Sequence, residues 1–268
     1  MTMSEAVMQL GLLEDSEIVL DAAALELALP DHPGADLPAS RARLDAIEAR
    51  LREGSIDTTG AYAQAQLLAA VIAGEFGFSG DAEDYDNPAN ADLIVVLERR
   101  RGMPITLSII YVALARRLGW NATCLNVPGH LLVRIGPPLL AVVIDPFNAG
   151  AIAAPDTIPN LFARAGARAP AVLPVLSNRD TLVRLLQNQA SRAQQAGDFA
   201  RALAVRERMT ALAPQAGHLW WERAGVEQQL GQIGAARGSL SAMLEVTRDP
   251  NERQRIRATL DRLTRSIN

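Results

Sequence analysis

Lysine is absent from this 268-residue chain, and all 26 basic side chains are arginine. That excludes Schiff-base catalysis through an ε-amine and a P-loop lysine beneath a phosphate. Cysteine occurs once, as Cys124, so there is no internal disulfide framework and no cysteine-rich metal centre. The three histidines, His32, His130 and His218, stand far apart without ligand spacing, so no metal and no cofactor is expected. No apolar run approaches the roughly 18 residues that a membrane span needs. Met1-Thr2-Met3-Ser4-Glu5 has no basic n-region, so no signal peptide is expected and a cytoplasmic location is the default.

Apolar residues make up 49% of the chain, enough for a true core. The net charge of −4 hides a strong asymmetry. Residues 1–92 hold 18 acidic and 4 basic groups, residues 93–178 hold 3 and 8, and residues 179–268 hold 9 and 14. Attraction between parts of one molecule explains this more simply than a charged partner does. The basic surplus is small and spread over amphipathic patterns, so nucleic acid is not an expected partner.

The first 92 residues read as helical. Leu25 and Leu29 are apolar at helical spacing, and Pro30, Pro33, Gly34 and Pro38 then break the chain. Ser40 is placed to cap a helix with Leu44, Ile47 and Leu51 on one face, and another helix is expected over 61–75. An acidic loop, Asp81 to Asp86, precedes a helix over 90–99 that closes at Arg99-Arg100-Arg101-Gly102. The next helix opens at Pro104, a favoured first position, and is apolar on most faces to Leu118, which marks it as buried. Three extended runs follow, 121–127, 130–135 and 139–145, separated by Pro128-Gly129 and Gly136-Pro137-Pro138. The apolar run Leu139–Ile144 suits a central buried strand. The class is α+β: a buried helix with a small antiparallel sheet, after a helical N-terminal segment.

Past a Pro/Ala-rich connector reaching about Pro174, helical patterns resume with a repeat. Gly197-Asp198-Phe199-Ala200-Arg201-Ala202 matches Gly231-Gln232-Ile233-Gly234-Ala235-Ala236 at a separation of 34, and Met209 pairs with Met243 and Leu212 with Val246 at the same offset. That is the tetratricopeptide period. A helix from Asn251 to Ile267 would cap the two units. Two domains are expected, 1–175 and 176–268.

His130 opens one strand and Asp145 ends the next, so adjacent antiparallel strands can set them side by side. An aspartate that accepts from an imidazole fixes its tautomer and stabilises its cation. A helix N-terminus nearby would lower a thiol pKa or hold an oxyanion. On spacing alone, an ordinary structural pair at a strand edge is the plainer reading.

Leu97-Glu98-Arg99-Arg100-Arg101-Gly102-Met103-Pro104-Ile105-Thr106-Leu107, Leu114-Ala115-Arg116-Arg117-Leu118-Gly119, Pro128-Gly129-His130-Leu131-Leu132-Val133-Arg134 and Asp145-Pro146-Phe147-Asn148 resemble the bacterial SirB family, as do Phe78-Ser79-Gly80-Asp81 and Asn87-Pro88. The resemblance is close over about 75–150 and extends over the whole chain. It implies a papain/transglutaminase-like core followed by tetratricopeptide repeats. Papain-like transglutaminases open the core helix with Gly-x-Cys, and counting back from Leu118-Gly119 puts that cysteine at Pro104. The resemblance carries over His130 and Asp145 as the catalytic histidine and aspartate, and leaves the nucleophile position with a ring that cannot attack.

Thr106 points largely away from the face of Pro104, and Ser108 lies a turn deeper; a backbone-bonded helix hydroxyl is the simpler reading of each. Cys124 reads as a small buried hydrophobe. Arg99–Arg101 reads as a solvated helix end paired with the acidic loop. Of Trp220 and Trp221, one is expected to fill the repeat core and the other to be a partner's anchor. Two functions follow. The first is a non-catalytic interaction or regulatory scaffold, a pseudoenzyme whose repeats recruit a protein or peptide. The alternative is a cysteine-independent hydrolase or acyl-transferase using His130 and Asp145.

Overall fold

The computed structural model describes residues 5–170 and 172–265. The N-terminal Met1–Ser4 stretch, Ala171 of the connector, and Ser266 and Ile267 at the expected end of the last helix lie outside the described residues. The chain divides into two compact units, one over 14–185 and one made of the N-terminal segment to Leu13 with residues from Leu186 onward.

Helix α1 (Glu5–Leu10) belongs to the second unit. In the first, α2 (Leu20–Ala28) is buried on most of its surface. Helix α3 (Leu37–Gly54) carries Leu44, Ile47 and Leu51 inward as its spacing requires. Its cap is Asp36, whose carboxylate accepts from the Ala39 amide, and not Ser40, which is itself helical. Pro38 fits the first turn, where its missing N–H has no helical partner anyway, and this moves the start upstream. Helix α4 (Gly60–Leu68) continues as π-helix over Ala69–Glu75.

A two-residue strand β1 (Ser79–Gly80) pairs in parallel with β2 (Arg101–Gly102). Between them, α5 (Leu93–Arg99) begins three residues later than the hydrophobic spacing suggests. Asp92 accepts from the Val95 amide and sets the start, and a 3-10 turn over Pro88–Ala91 occupies the upstream residues. Helix α6 (Pro104–Arg117) is buried from Pro104 to Ala115, as its unbroken apolar surface demands. It packs against the sheet and against the turn over Pro146–Asn148.

The sheet has four antiparallel strands in chain order: β3 (Ala122–Val127), β4 (His130–Ile135), β5 (Val142–Asp145) and β6 (Ala151–Ile152). Residues 174–176 cover the outer edge of β3: the Asn126 amide donates to the Pro174 carbonyl and the Leu176 amide to that of Cys124. The expected third strand is shorter than the apolar run. Leu139 and Leu140 lie in a 3-10 turn and are 98% and 77% exposed, because Pro137 and Pro138 cannot donate to a ladder and delay pairing to Val142. Helix α7 (Thr157–Arg164) crosses one sheet face and presses Phe162 onto Leu125, Val127 and Leu132.

Helix α8 (Asn178–Gln195) contains the boundary between the units. The second unit continues with α9 (Phe199–Leu212), α10 (Gly217–Gln229), α11 (Ile233–Val246) and α12 (Pro250–Arg265), each packed on the next. The 34-residue period is visible in space. Gly197 and Gly231 turn at φ 77° and 71°, a left-handed conformation that favours glycine. The paired positions Ala202 and Ala236, and Met209 and Met243, are all buried. Trp220 and Trp221 are both half-buried. The Trp220 indole donates to the Pro214 carbonyl, and Trp221 lies under the Arg255 guanidinium, so neither is the free anchor expected.

Candidate functional site

Pro128-Gly129 reverses the chain between β3 and β4, with Gly129 at φ 69°, so that Val127 and His130 form the closing pair. Alternation along β4 then puts His130, Leu132 and Arg134 on one face. Leu132 is covered by α7, so His130 emerges at the end of a packed face. Asp145 ends β5, and the chain drops at once into the turn Pro146–Asn148.

The two expected residues meet. His130 Nε2 lies 2.9 Å from both carboxylate oxygens of Asp145. Their side chains are only 14% and 10% exposed. Asp145 Oδ1 also accepts from the backbone amides of Phe147 and Asn148, and Oδ2 accepts from Asn148 Nδ2 at 2.6 Å. The carboxylate therefore caps its own turn, and Asn148 serves the aspartate. Burial pushes the Asp145 carboxyl up, but the bonds and charge of His130 and the donors of Asn148 outweigh it, leaving the group below its ordinary value.

The imidazole is framed by its neighbours. Phe147 meets the His130 ring edge to face at 6.0 Å, and Tyr85 meets Phe147 the same way at 5.7 Å. A Cβ on Gly80 would sit 2.5 Å from the Phe147 ring, so β1 must carry glycine for this stack to close. The His130 carbonyl accepts from Arg184 at 3.1 Å, and Arg184 also bonds Asn126 on β3. These aromatic and arginine supports escaped the sequence reading; only the run Asp145-Pro146-Phe147 hinted at them.

Beneath the turn, Tyr111 of α6 is fully buried, and among the described residues its phenol has no hydrogen-bond partner. Burial and the charge of Asp145 both push its pKa up. Its oxygen would lie 2.7 Å from a Cβ on Gly150, which turns at φ 73° just after Ala149 at φ 55°. Two successive left-handed residues, one of them alanine, mark strain beside the pair.

The hydroxyl and thiol candidates lie elsewhere. Thr106 Oγ1 bonds the carbonyls of Asn90 and Met103, as an ordinary helix hydroxyl would. Ser108 is fully buried, and among the described residues its Oγ has no partner. Cys124 is buried, and burial pushes its thiol up to about 11, which suits a packing residue and not a thiolate. Pro104 is buried at the first position of α6. Arg99 pairs with Asp81 at 3.3 Å, as expected of the acidic loop.

A cavity of about 450 Å³ opens beside His130 and Asp145. Its far wall is one face of α7, with Thr157, Asn160, Leu161 and Arg164 at helical spacing. Thr157 is the hydroxyl among the lining side chains, and among the described residues no thiol or hydroxyl bonds the imidazole. The arrangement holds an oriented imidazole at an open, polar cavity, the equipment of a general base or of a ligand clamp. No group of three or more metal-ligating side chains is found among the described residues.

Comparison with known proteins identifies the two parts of the chain. Residues 38–187 match the transglutaminase-like superfamily, and residues 189–261 match the tetratricopeptide repeat. A UPF0162 protein of Pseudomonas aeruginosa is 31% identical over 237 residues, 87% of each chain. A UPF0162 protein of Xylella fastidiosa is 32% identical over 179 residues, 64% of each chain, so the chain spans just under two thirds of that relative's length. F-box only protein 21 of Homo sapiens is 39% identical over 74 residues, 26% of this chain and 12% of that one.

Proposed function

Because the chain belongs to the transglutaminase-like superfamily, in its UPF0162 branch, we propose that it is a non-catalytic protein-interaction scaffold, a core without its nucleophile joined to partner-recruiting repeats. The observation that carries this reading is Pro104, which opens α6 where the resemblance to papain-like transglutaminases calls for cysteine, and which offers no attacking atom. The repeats support it, since stacked helix pairs form the extended concave surfaces that bind peptides. His130 and Asp145 then serve as a structural pair that ties β4 to the turn after β5. The test compares proteins captured by the wild-type chain and by His130→Ala and Gly231→Pro variants. Equal capture by His130→Ala with loss in Gly231→Pro is expected. Loss confined to His130→Ala would overturn recruitment through the repeats.

One observation favours the alternative, a hydrolase or acyl-transferase: the dyad is intact and faces an open cavity. In that reading His130 activates a water or the Thr157 hydroxyl, and Asp145 holds the imidazole and its developing charge. Thr157→Val would then abolish turnover if the hydroxyl attacks and spare it if water does.

A further inference from the structure

The cavity beside His130 and Asp145 has donors to spare. Both Asp145 oxygens are engaged by His130, Phe147 and Asn148, and Asp156 Oδ2 accepts from Asn160 Nδ2 at 3.3 Å. The carboxylates of the lining are thus partnered from within it. On the far wall, the Thr157 hydroxyl and the Arg164 guanidinium border the same space, and among the described residues neither has a hydrogen-bond or ion-pair partner. His130 spends Nε2 on Asp145, and its Nδ1 bonds to nothing among the described residues. Residues 93–178, which supply this lining, carry 8 basic against 3 acidic groups.

An exposed arginine near a helix end is ordinary by itself. Arg164 differs because it borders a cavity of about 450 Å³ that also reaches a nearly buried imidazole. That volume falls in the range of small-molecule sites, about 300–1,000 Å³. Thr157, Leu161 and Arg164 follow one another at i, i+4 and i+7, so they form one row about 10 Å long. Leu161 puts an apolar patch in the middle of the row, and Phe147 adds another from the turn after β5. A cation at one end with apolar contact along the row fits an anion carried on an apolar stem. An organic carboxylate matches best, because two parallel N–H groups of a guanidinium can meet both its oxygens. A bare inorganic anion would leave the apolar part of the row unused.

We propose that this cavity binds a small organic carboxylate, with its acid group on Arg164 and its apolar stem along Leu161 toward His130. The proposal deepens the hydrolase or acyl-transferase reading of the same site and rests on its premise that the cavity admits a ligand; it does not require His130 to react. Its test is a nuclear magnetic resonance titration of the full chain with hexanoate, with neutral hexanamide and with inorganic phosphate, followed at the His130 ring. The expected result is a saturable shift with hexanoate alone. Binding should weaken about five-fold or more in Arg164→Gln and stay unchanged in Arg168→Gln, a variant of an exposed arginine outside the lining. Equal shifts with hexanamide, equal shifts with phosphate, no shift with hexanoate, or undiminished binding in Arg164→Gln would overturn the proposal. Turnover of thioester or amide probes separates it from the reading it rests on. Hexanoate binding without turnover keeps the site and ends that reading, whereas turnover without hexanoate binding keeps that reading and ends the site.

Discussion

At the residue scale, Asp145 holds the candidate site together, and its titration is measurable. Its carboxyl is depressed below the ordinary 3.8 by His130 and Asn148 despite the opposing effect of burial. A depressed folded value gives stability that is complete above the unfolded value and is lost as pH falls through the folded one. Asp145→Asn is therefore expected to flatten the fall in urea midpoint below about pH 4. An unchanged slope would show that the pair adds nothing to stability. Gly150 is the second sensitive residue. A Cβ there would meet the Tyr111 ring and hydroxyl and Ala69 at 2.7–3.0 Å, at a φ that disfavours side chains. Gly150→Ala should cost about 2–3 kcal/mol, from overpacking plus left-handed strain, read by chemical denaturation. A loss under about 0.5 kcal/mol would mean that the turn yields easily.

At the scale of elements, the Tyr85–Phe147–His130 stack depends on a bare backbone at Gly80. Gly80→Ala is expected to displace Phe147 and to shift the His130 ring resonance, with the resonances of the repeats unchanged. A His130 signal identical to wild type would refute the link. Much of this architecture is legible in the sequence. The buried helix at Pro104, the strands bearing His130 and Asp145, and the 34-residue repeat follow from apolar spacing, proline placement and glycine turns. What escaped was set by competition between local signals. Asp36 outcompeted Ser40 as a cap because Pro38 fits the first turn. Prolines kept Leu139 and Leu140 out of the sheet although their side chains favour burial. The supports of His130 come from residues 80, 85, 147 and 184, and no local pattern records contacts made over such separations.

On the scale of the whole molecule, two units have separate cores. Ile256 of α12 is fully buried among Ala236, Leu240 and Met243. Ile256→Ala should destabilise the repeats by about 2–4 kcal/mol. Hydrogen exchange is expected to accelerate in residues 217–265 while β3–β5 keep their protection. Acceleration throughout both units would show that they unfold as one. No helix among the described residues is long and apolar enough to cross a membrane.

The non-catalytic reading rests on a ring occupying the place of an attacking atom, and hydrolysis assays test it most directly. Wild type and His130→Ala would be incubated with thioester and glutamine-amide peptides, and release of thiol and ammonia followed. The expected outcome is the same background rate for both proteins. Release by wild type at least ten-fold above His130→Ala would contradict the scaffold and install the imidazole as a working base.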